Sequence, residues 1–321
     1  MEHKILGVTC KYVLPALHAG NVTVIPYPGG KSYVASDIFM AAPDDVDAIA
    51  VPFLGGGSLL FAAIEKYANR ECRIIASDTC DVLYSLFVGL QKHGRCVAEY
   101  LNGIRQHYGY VTRELFDRCV VLIGSSSDIV EKAVAAYIYF RSVWVSAARF
   151  FRNSGYSEKR GQRALSDDLI RRLPVMAEKF CSVEFHNENY QNTLKRVQIY
   201  GHRALVIADP PYVGRDMTLY NCNFSQDQFA SDIDSGASQF MVTLDVSPES
   251  LERYSAHKKV YYRMNYSGTD PLTRRRKTGV EQLIYRGAIS AEKIMQLGSR
   301  WMIECPELGD GVANDNAASA G

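Results

Sequence analysis

Three things are scarce in this chain of 321 residues, and each scarcity excludes a class of protein. No stretch is apolar over the roughly 18 positions that a membrane-crossing helix needs. The start, Met1-Glu2-His3-Lys4, runs into a segment broken by Lys11 and His18, without the long apolar core of a signal peptide. Both observations predict a cytoplasmic protein. The eight cysteines (Cys10, Cys72, Cys80, Cys96, Cys119, Cys181, Cys222 and Cys305) include no Cys-x-x-Cys pair and no cluster at zinc-ligand spacing, so no metal is predicted. A chain this long is not a small disulfide scaffold either. The cysteines read as buried thiols in a reducing compartment, with Cys72 and Cys181 in apolar or strand-like surroundings. Excess charge of one sign is also missing: 36 Lys and Arg against 35 Asp and Glu leave +1, which argues against a purely electrostatic nucleic-acid binder but leaves local basic patches open.

What is present suits a large core, with 47% hydrophobic and 22% charged residues. Continuous apolar runs end at turn-forming or acidic residues. Ala48 to Phe53 leads into Gly55-Gly56-Gly57, Arg73 to Ser77 ends at Asp78, and Ala204 to Ala208 ends at Asp209. Such runs suit strands covered on both faces of a parallel sheet. Between them, Ser58 to Ala68 has helical spacing with Ser58 as a candidate N-cap, and Asp81 to Lys92 sets Leu83, Leu86, Phe87 and Leu90 on one helix face. This alternation predicts an α/β doubly wound, Rossmann-like sheet. Gln239 to Leu244 adds a strand, and Lys259 to Arg263 with Gln282 to Tyr285 form a candidate antiparallel pair. Residues 96–182 are rich in helical spacing, aromatics and arginine and read as an inserted, mainly helical domain between core segments 22–95 and 183–306. The tail, 307–321, reads as disordered.

Four motifs carry chemistry. The turn Pro52-Phe53-Leu54-Gly55-Gly56-Gly57-Ser58 lets the backbone approach a nucleotide-like ligand at a helix N-terminus, although it is not the Gly-x-Gly-x-x-Gly fingerprint. Asp78, about 20 residues on at the end of the next strand, is placed to accept from ribose hydroxyls. Pro28-Gly29-Gly30-Lys31-Ser32 resembles the tail of a phosphate loop, but the earlier glycine that such a loop requires would fall at Ile25, so an NTPase is rejected. The segment still offers a glycine turn, a cation and a serine that can cap a following helix. The sharpest feature is Asp209-Pro210-Pro211-Tyr212. Two prolines stiffen the loop after a buried strand and hold an acid and an aromatic ring in fixed relation. That pair suits attack by an amino nitrogen whose lone pair is delocalised into a ring. Asp209 and the Pro210 carbonyl would take the two amino hydrogens while Tyr212 stacks on the ring. A duplex base would have to be flipped out to reach such a loop.

In this order, the segments resemble the Dam-type DNA adenine methyltransferases of the alpha-ordered class. In that family a proline/glycine/lysine segment, a cofactor glycine turn, an inserted target-recognition domain and Asp-Pro-Pro-Tyr follow one another. The late segments Tyr262 to Gly268, Arg274 to Lys277 and Glu281 to Tyr285 are similar to the family's final hairpin. The resemblance implies a class I methyltransferase fold, S-adenosylmethionine as cofactor and an adenine amino group in double-stranded DNA as substrate. It further implies that Tyr27, Gly29, Gly30 and Lys31 meet the cofactor's methionine end, that Pro52 to Ser58 line the cofactor, and that Asp78 holds its ribose. Asn189 and Tyr190 would lie at its adenine, and Asp209 to Tyr212 would hold the target base. The chain departs from the family at Val51, where an acid is common, and at Asn189, where Asp is frequent. RNA adenine or another amino group is the alternative acceptor, and a silent nucleic-acid-binding relative the alternative class.

For holding DNA, the stretch from Arg141 to Arg163 has six basic residues (Arg141, Arg149, Arg152, Lys159, Arg160 and Arg163) opposed only by Glu158, with aromatics interleaved. Trp144 and Phe151 read as helix core. Arg160 and Arg163, beside Gly155 and Gly161, read as a solvated loop. Arg274, Arg275, Arg276 and Lys277 are either a phosphate clamp or an exposed loop. A monomer or weak dimer is expected.

Overall fold

The computed structural model describes residues 4–9, 23–67, 70–143, 155–212, 224–269, 276–296, 298 and 300–305. In chain order, the N-terminal part carries β1 (Lys4–Ile5), β2 (Val8–Thr9), α1 (Ala35–Ala41), β3 (Ala48–Val51), α2 (Ser58–Tyr67) and β4 (Arg73–Asp78). Five helices follow: α3 (Asp81–Tyr108), α4 (Arg113–Ser125), α5 (Ile129–Ser142), α6 (Glu158–Ala164) and α7 (Asp167–Lys179). The C-terminal part carries β5 (Val183–Asn187), α8 (Tyr190–Val197), β6 (Ala204–Ala208), α9 (Gln226–Gly236), β7 (Gln239–Asp245) and α10 (Pro248–Arg253), and then β8 (Lys258–Thr269), β9 (Arg276–Arg286), α11 (Ala291–Met295) and β10 (Trp301–Met302).

Among the described residues the main sheet has eight strands, in the order β10-β8-β9-β7-β6-β3-β4-β5. The block β7-β6-β3-β4-β5 is parallel. β9 runs antiparallel to β7, and β8 antiparallel to β9. The central strands sit where their apolar runs require, because β3, β6 and all but the last residue of β7 are buried on both faces. Ala48, Ala50, Val206, Ala208, Phe240 and Val242 point to one face, where α8 and α9 supply Leu194, Val197, Phe229 and Ile233. The alternating residues Ile49, Val51, Leu205, Ile207 and Met241 point to the other, against α2, α3 and α5. The period-2 alternation of a strand therefore divides one apolar run between two cores. The chain leaves β3 toward β4 and β5 and returns to β6 on the other side of β3. The switch point lies between β3 and β6, where open α/β sheets form their ligand crevice.

The helical segment after β4 grows out of the sheet with only a two-residue turn between β4 and α3. α3 is 28 residues long and bends at His93, whose φ of −139° and ψ of 27° are not helical. The expected boundary between residues 95 and 96 falls two residues past this kink, at which two helical stretches join. The bend redirects α3 but does not end it, and the core continues unbroken from Leu83 and Leu90 to Val97, Leu101 and Ile104. Asp128 caps α5 through Val130 N (2.7 Å) and Glu131 N (3.0 Å), and Thr112 caps α4 through Leu115 N (3.2 Å).

Local readings are corrected at several points. Ser58 is the first residue of α2, and its hydroxyl accepts from Lys31 N at 3.1 Å, tying two cavity segments together. Ser32 is exposed, and α1 begins at Ala35 after Val34 with no side-chain cap. Cys181 and Cys305 are exposed, Cys72, Cys80 and Cys96 are partly buried and Cys119 is buried, all as free thiols. Cys10 and Cys222, and the tail from residue 306 on, lie outside the described residues. No described helix is long and apolar enough to cross a membrane.

Candidate active site

A cavity of about 290 Å³ lies at the carboxyl ends of the parallel strands. Of the residues predicted to hold cofactor or target base, all but Lys31 and Gly57 line it: Tyr27, Gly29, Gly30, Pro52 to Gly56, Ser58, Asp78, Asn189, Tyr190 and Asp209 to Tyr212. Five separate stretches of chain thus converge on one space.

The glycine turn follows β3. Gly57 has φ of +85°, and a Cβ there would meet the Phe87 ring at 2.8 Å; a Cβ on Gly56 would meet the Ile25 carbonyl oxygen at 2.8 Å. Any side chain would push the turn off the Thr23–Gly30 segment and off α3. Asp78 holds the turn from the neighbouring strand. Its Oδ2 accepts from Gly55 N at 3.1 Å and its Oδ1 from Cys80 N at 3.0 Å. Burial pushes the Asp78 carboxyl above its ordinary 3.8, opposed by backbone N–H groups, Cys80 first. Each oxygen keeps a second lone pair.

Opposite, Phe53 stacks on Tyr190 with centroids 5.7 Å apart, and Phe224 closes edge-on at 5.6 Å from Phe53. Asn189 caps α8 by accepting from Asn192 N at 3.0 Å, so its amide oxygen is engaged while its amino group is left to the cavity. Thr79, Gln191, Phe224, Ser225 and Gln228 also line the cavity. Sequence reading missed them because they flank the motifs or open α9, where no spacing marks them.

The catalytic loop leaves β6. Oδ1 of Asp209 accepts from Thr243 Oγ1 (2.7 Å), the Tyr212 hydroxyl stands 3.1 Å from it, and Lys31 Nζ lies 2.8 Å away. Oδ2 accepts from Lys31 Nζ at 2.9 Å. The Asp209 side chain is 18% exposed. Gln226 Nε2 donates to the Pro211 carbonyl, which leaves Pro210 as the loop's other acceptor. Two expected placements differ. Lys31 is 1% exposed and sits behind Asp209 rather than on the cavity wall. The Tyr212 ring was expected to be open for stacking but is 3% exposed, because its hydroxyl turns inward to Asp209 and Glu281 and its ring lies 5.0 Å from Lys31 Nζ. It forms a wall of the cavity.

The basic residues divide. Arg141 was predicted to meet DNA, yet it is half-buried; its guanidinium donates to the Val24 carbonyl at 2.8 Å and lies 5.1 Å from the Tyr137 ring. Together with Phe140, 6.2 Å from Tyr27, it braces the cavity wall from α5. Lys159, Arg160 and Arg163 lie on helix α6, not on a loop; Lys159 and Arg163 are exposed, while partial burial of Arg160 lowers its pKa. Arg149, Arg152, Trp144, Phe151, Arg274 and Arg275 lie outside the described residues, and Arg276 and Lys277 are described only as backbone of β9.

A doubly wound sheet with its reversed strand beside β7 and this cavity at its switch point defines the Rossmann-like methyltransferase class. Over residues 27–272 the sequence matches the D12 class N6 adenine-specific DNA methyltransferases, and the chain belongs to that family. No curated protein sequence matches it significantly. Solved structures similar to it include the rRNA methyltransferase aviRa from Streptomyces viridochromogenes (15% identity, 85% of this chain and 90% of that one, TM-score 0.36). Another is a precorrin 8W decarboxylase from Methanobacterium thermoautotrophicum (10% identity, 82% and 93%, TM-score 0.33). Likeness at this level carries no functional argument.

Proposed function

We propose that this chain transfers the methyl group of S-adenosylmethionine to the N6 amino group of an adenine flipped out of duplex DNA. The observation that carries the reading is the convergence of Asp209, at the end of β6, with the glycine turn and Asp78 around one cavity. The cavity suits the cofactor's parts: a carboxylate with spare lone pairs for ribose hydroxyls, an aromatic wall for a purine, and an uncharged amide at Asn189 for its edge. S-adenosylmethionine supplies an electrophilic methyl on sulfonium. The protein's own part is to hold the amine. Asp209 Oδ2 and the Pro210 carbonyl accept the two amino hydrogens, drawing the nitrogen lone pair out of the ring and toward the methyl group. As the nitrogen–methyl bond forms, the methyl carbon–sulfur bond breaks with its electron pair going to sulfur, which leaves as a neutral thioether; the negative carboxylate stabilises the positive charge arising on nitrogen, and the surplus amino proton passes to solvent water. Tyr212 forms the wall beside the ring. In this proposal, residues 96–182 form the target-recognition part, with the exposed Lys159 and Arg163 one helical turn apart on α6 to meet phosphates.

The deciding experiment incubates purified protein with methyl-labelled cofactor and random-sequence duplex DNA, with an RNA duplex of the same sequence alongside, and identifies the modified nucleoside by mass spectrometry. N6-methyldeoxyadenosine in DNA is expected. Label confined to RNA, to another base, or to nothing would refute the reading.

Asp78 provides a pH signature. Protonation removes the charge that accepts ribose hydroxyls, so cofactor affinity should fall as pH drops through a midpoint above 3.8. Asp78→Asn should weaken binding about tenfold and flatten that pH dependence, because hydrogen bonds to a charged acceptor are the stronger ones. Calorimetric titration across pH reads both effects, and an unchanged slope in the variant would rule Asp78 out as the titrating group.

A further inference from the structure

The mechanism leaves one acid unused. Glu281 on β9 is 0% exposed and stands directly behind the catalytic loop. Its Oε2 accepts from the Tyr262 hydroxyl at 2.7 Å and the Tyr212 hydroxyl at 3.1 Å, and lies 3.6 Å from Lys31 Nζ. Its Oε1 has no hydrogen-bond partner among the described residues. A buried carboxylate with an unsatisfied oxygen is an expensive choice for stability alone.

Its charge has a use in the reaction. Lys31 Nζ is within 2.9 Å of both Asp209 oxygens, and a cation there opposes the positive charge that arises on the attacking nitrogen. With Lys31 and Asp209 alone the cluster sums to zero; with Glu281 it carries one negative charge. The Tyr212 hydroxyl, which has one hydrogen, stands 3.1 Å from Asp209 Oδ1 and 3.1 Å from Glu281 Oε2. A hydrogen donated to Glu281 is not donated to Asp209.

We propose that Glu281 is a positioning residue for the Asp209-Pro210-Pro211-Tyr212 loop. It draws Lys31 and the Tyr212 hydroxyl to the rear of the site, so that Asp209 presents an electron-rich Oδ2 to the amine. The inference rests on the methyl-transfer reading above.

Glu281→Gln preserves shape and an acceptor for the two phenols but removes the charge. It should lower kcat at least about tenfold, the scale on which partners of a reacting group act, and leave cofactor Kd within about threefold. Glu281→Asp restores the charge one methylene further back and should exceed the Gln variant in kcat. Wild-type kcat in Glu281→Gln, an Asp variant no better than the Gln variant, or a loss confined to cofactor Kd would each overturn the role. If Glu281→Gln shows no cooperative unfolding, Tyr262→Phe removes the 2.7 Å bond that fixes Oε2. That variant should lower kcat about threefold at unchanged cofactor Kd, and an unchanged kcat would overturn the role. A wild-type protein silent on every DNA removes the function itself and Glu281's role with it; an active wild type beside an unaffected Gln variant removes only the latter.

Discussion

Replacing Asp209 by alanine is expected to lower methyl transfer by about 10³-fold, some 4 kcal/mol of barrier, while the protein still folds and binds cofactor within about threefold of wild type. The size of the effect follows from position. Asp209 alone places a carboxylate oxygen at the cavity end of β6, and its loop cannot relax to bring in a substitute because two prolines stiffen it. Folding should survive because the groups that Asp209 satisfies have a second partner. Lys31 keeps Glu281 at 3.6 Å, and the Tyr212 hydroxyl keeps the same carboxylate at 3.1 Å. Cofactor binding should survive because Asp78 ends β4, Phe53 lies in the glycine turn after β3 and Tyr190 opens α8, all apart from the Asp209 loop. Single-turnover transfer with calorimetry on the same preparation separates the two quantities. A variant retaining a tenth or more of the wild-type rate would show that the acid does not act on the amine.

The second large effect concerns stability. Gly89 lies in α3 where α5 crosses it, and a Cβ on Gly89 would meet the Ala133 Cβ at 2.5 Å and the Ile129 carbonyl oxygen at 2.9 Å. Two helices approach this closely only over small residues, and backbone cannot swing aside as a side-chain tip can. Gly89→Leu should therefore destabilise the protein by about 3 kcal/mol or more through overpacking. Gly124, in α4, is the control: it is exposed, with nothing within 4 Å of a built Cβ. Gly124→Ala should stabilise by up to about 1 kcal/mol, through helix propensity alone. Denaturant titration of both variants checks the pair. If Gly89→Leu unfolds at the wild-type midpoint, α3 and α5 do not pack as described.

The sheet was legible because its strands obey one simple rule. Ala48–Val51, Ala204–Ala208 and the interior of Gln239–Asp245 are buried on both faces, so their sequences are apolar but for Thr243, which turns its hydroxyl to Asp209, and end abruptly. The cavity was legible for a related reason: glycines, an acid and a stiff proline pair sit at strand ends, where little but function or a turn explains them. What stayed hidden was pairing over long separations. Ser58 looks like a helix cap until Lys31, 27 positions away, takes its hydroxyl. Arg141 looks like a phosphate ligand until its guanidinium is found on the Val24 carbonyl. Glu281 looks like an ordinary polar residue of a hairpin strand, and only the register of β8 on β9, which sets Tyr262 opposite it, shows it to be interior. Sequence spacing reports which residue types recur along one element; it does not report which partner a polar atom meets from another.

The bend of α3 at His93 has a consequence for anyone wishing to exchange target preference between relatives. A graft joined between residues 95 and 96 would cut α3 two residues past its kink and part side chains that share one core, Leu83 and Leu90 from Val97 and Leu101. A chimera with its seam ahead of Asp81, and its return joint after α7, would carry α3 whole. Under the proposed function, such a transplant would keep α3 to α7 together as one unit, Lys159 and Arg163 on α6 included.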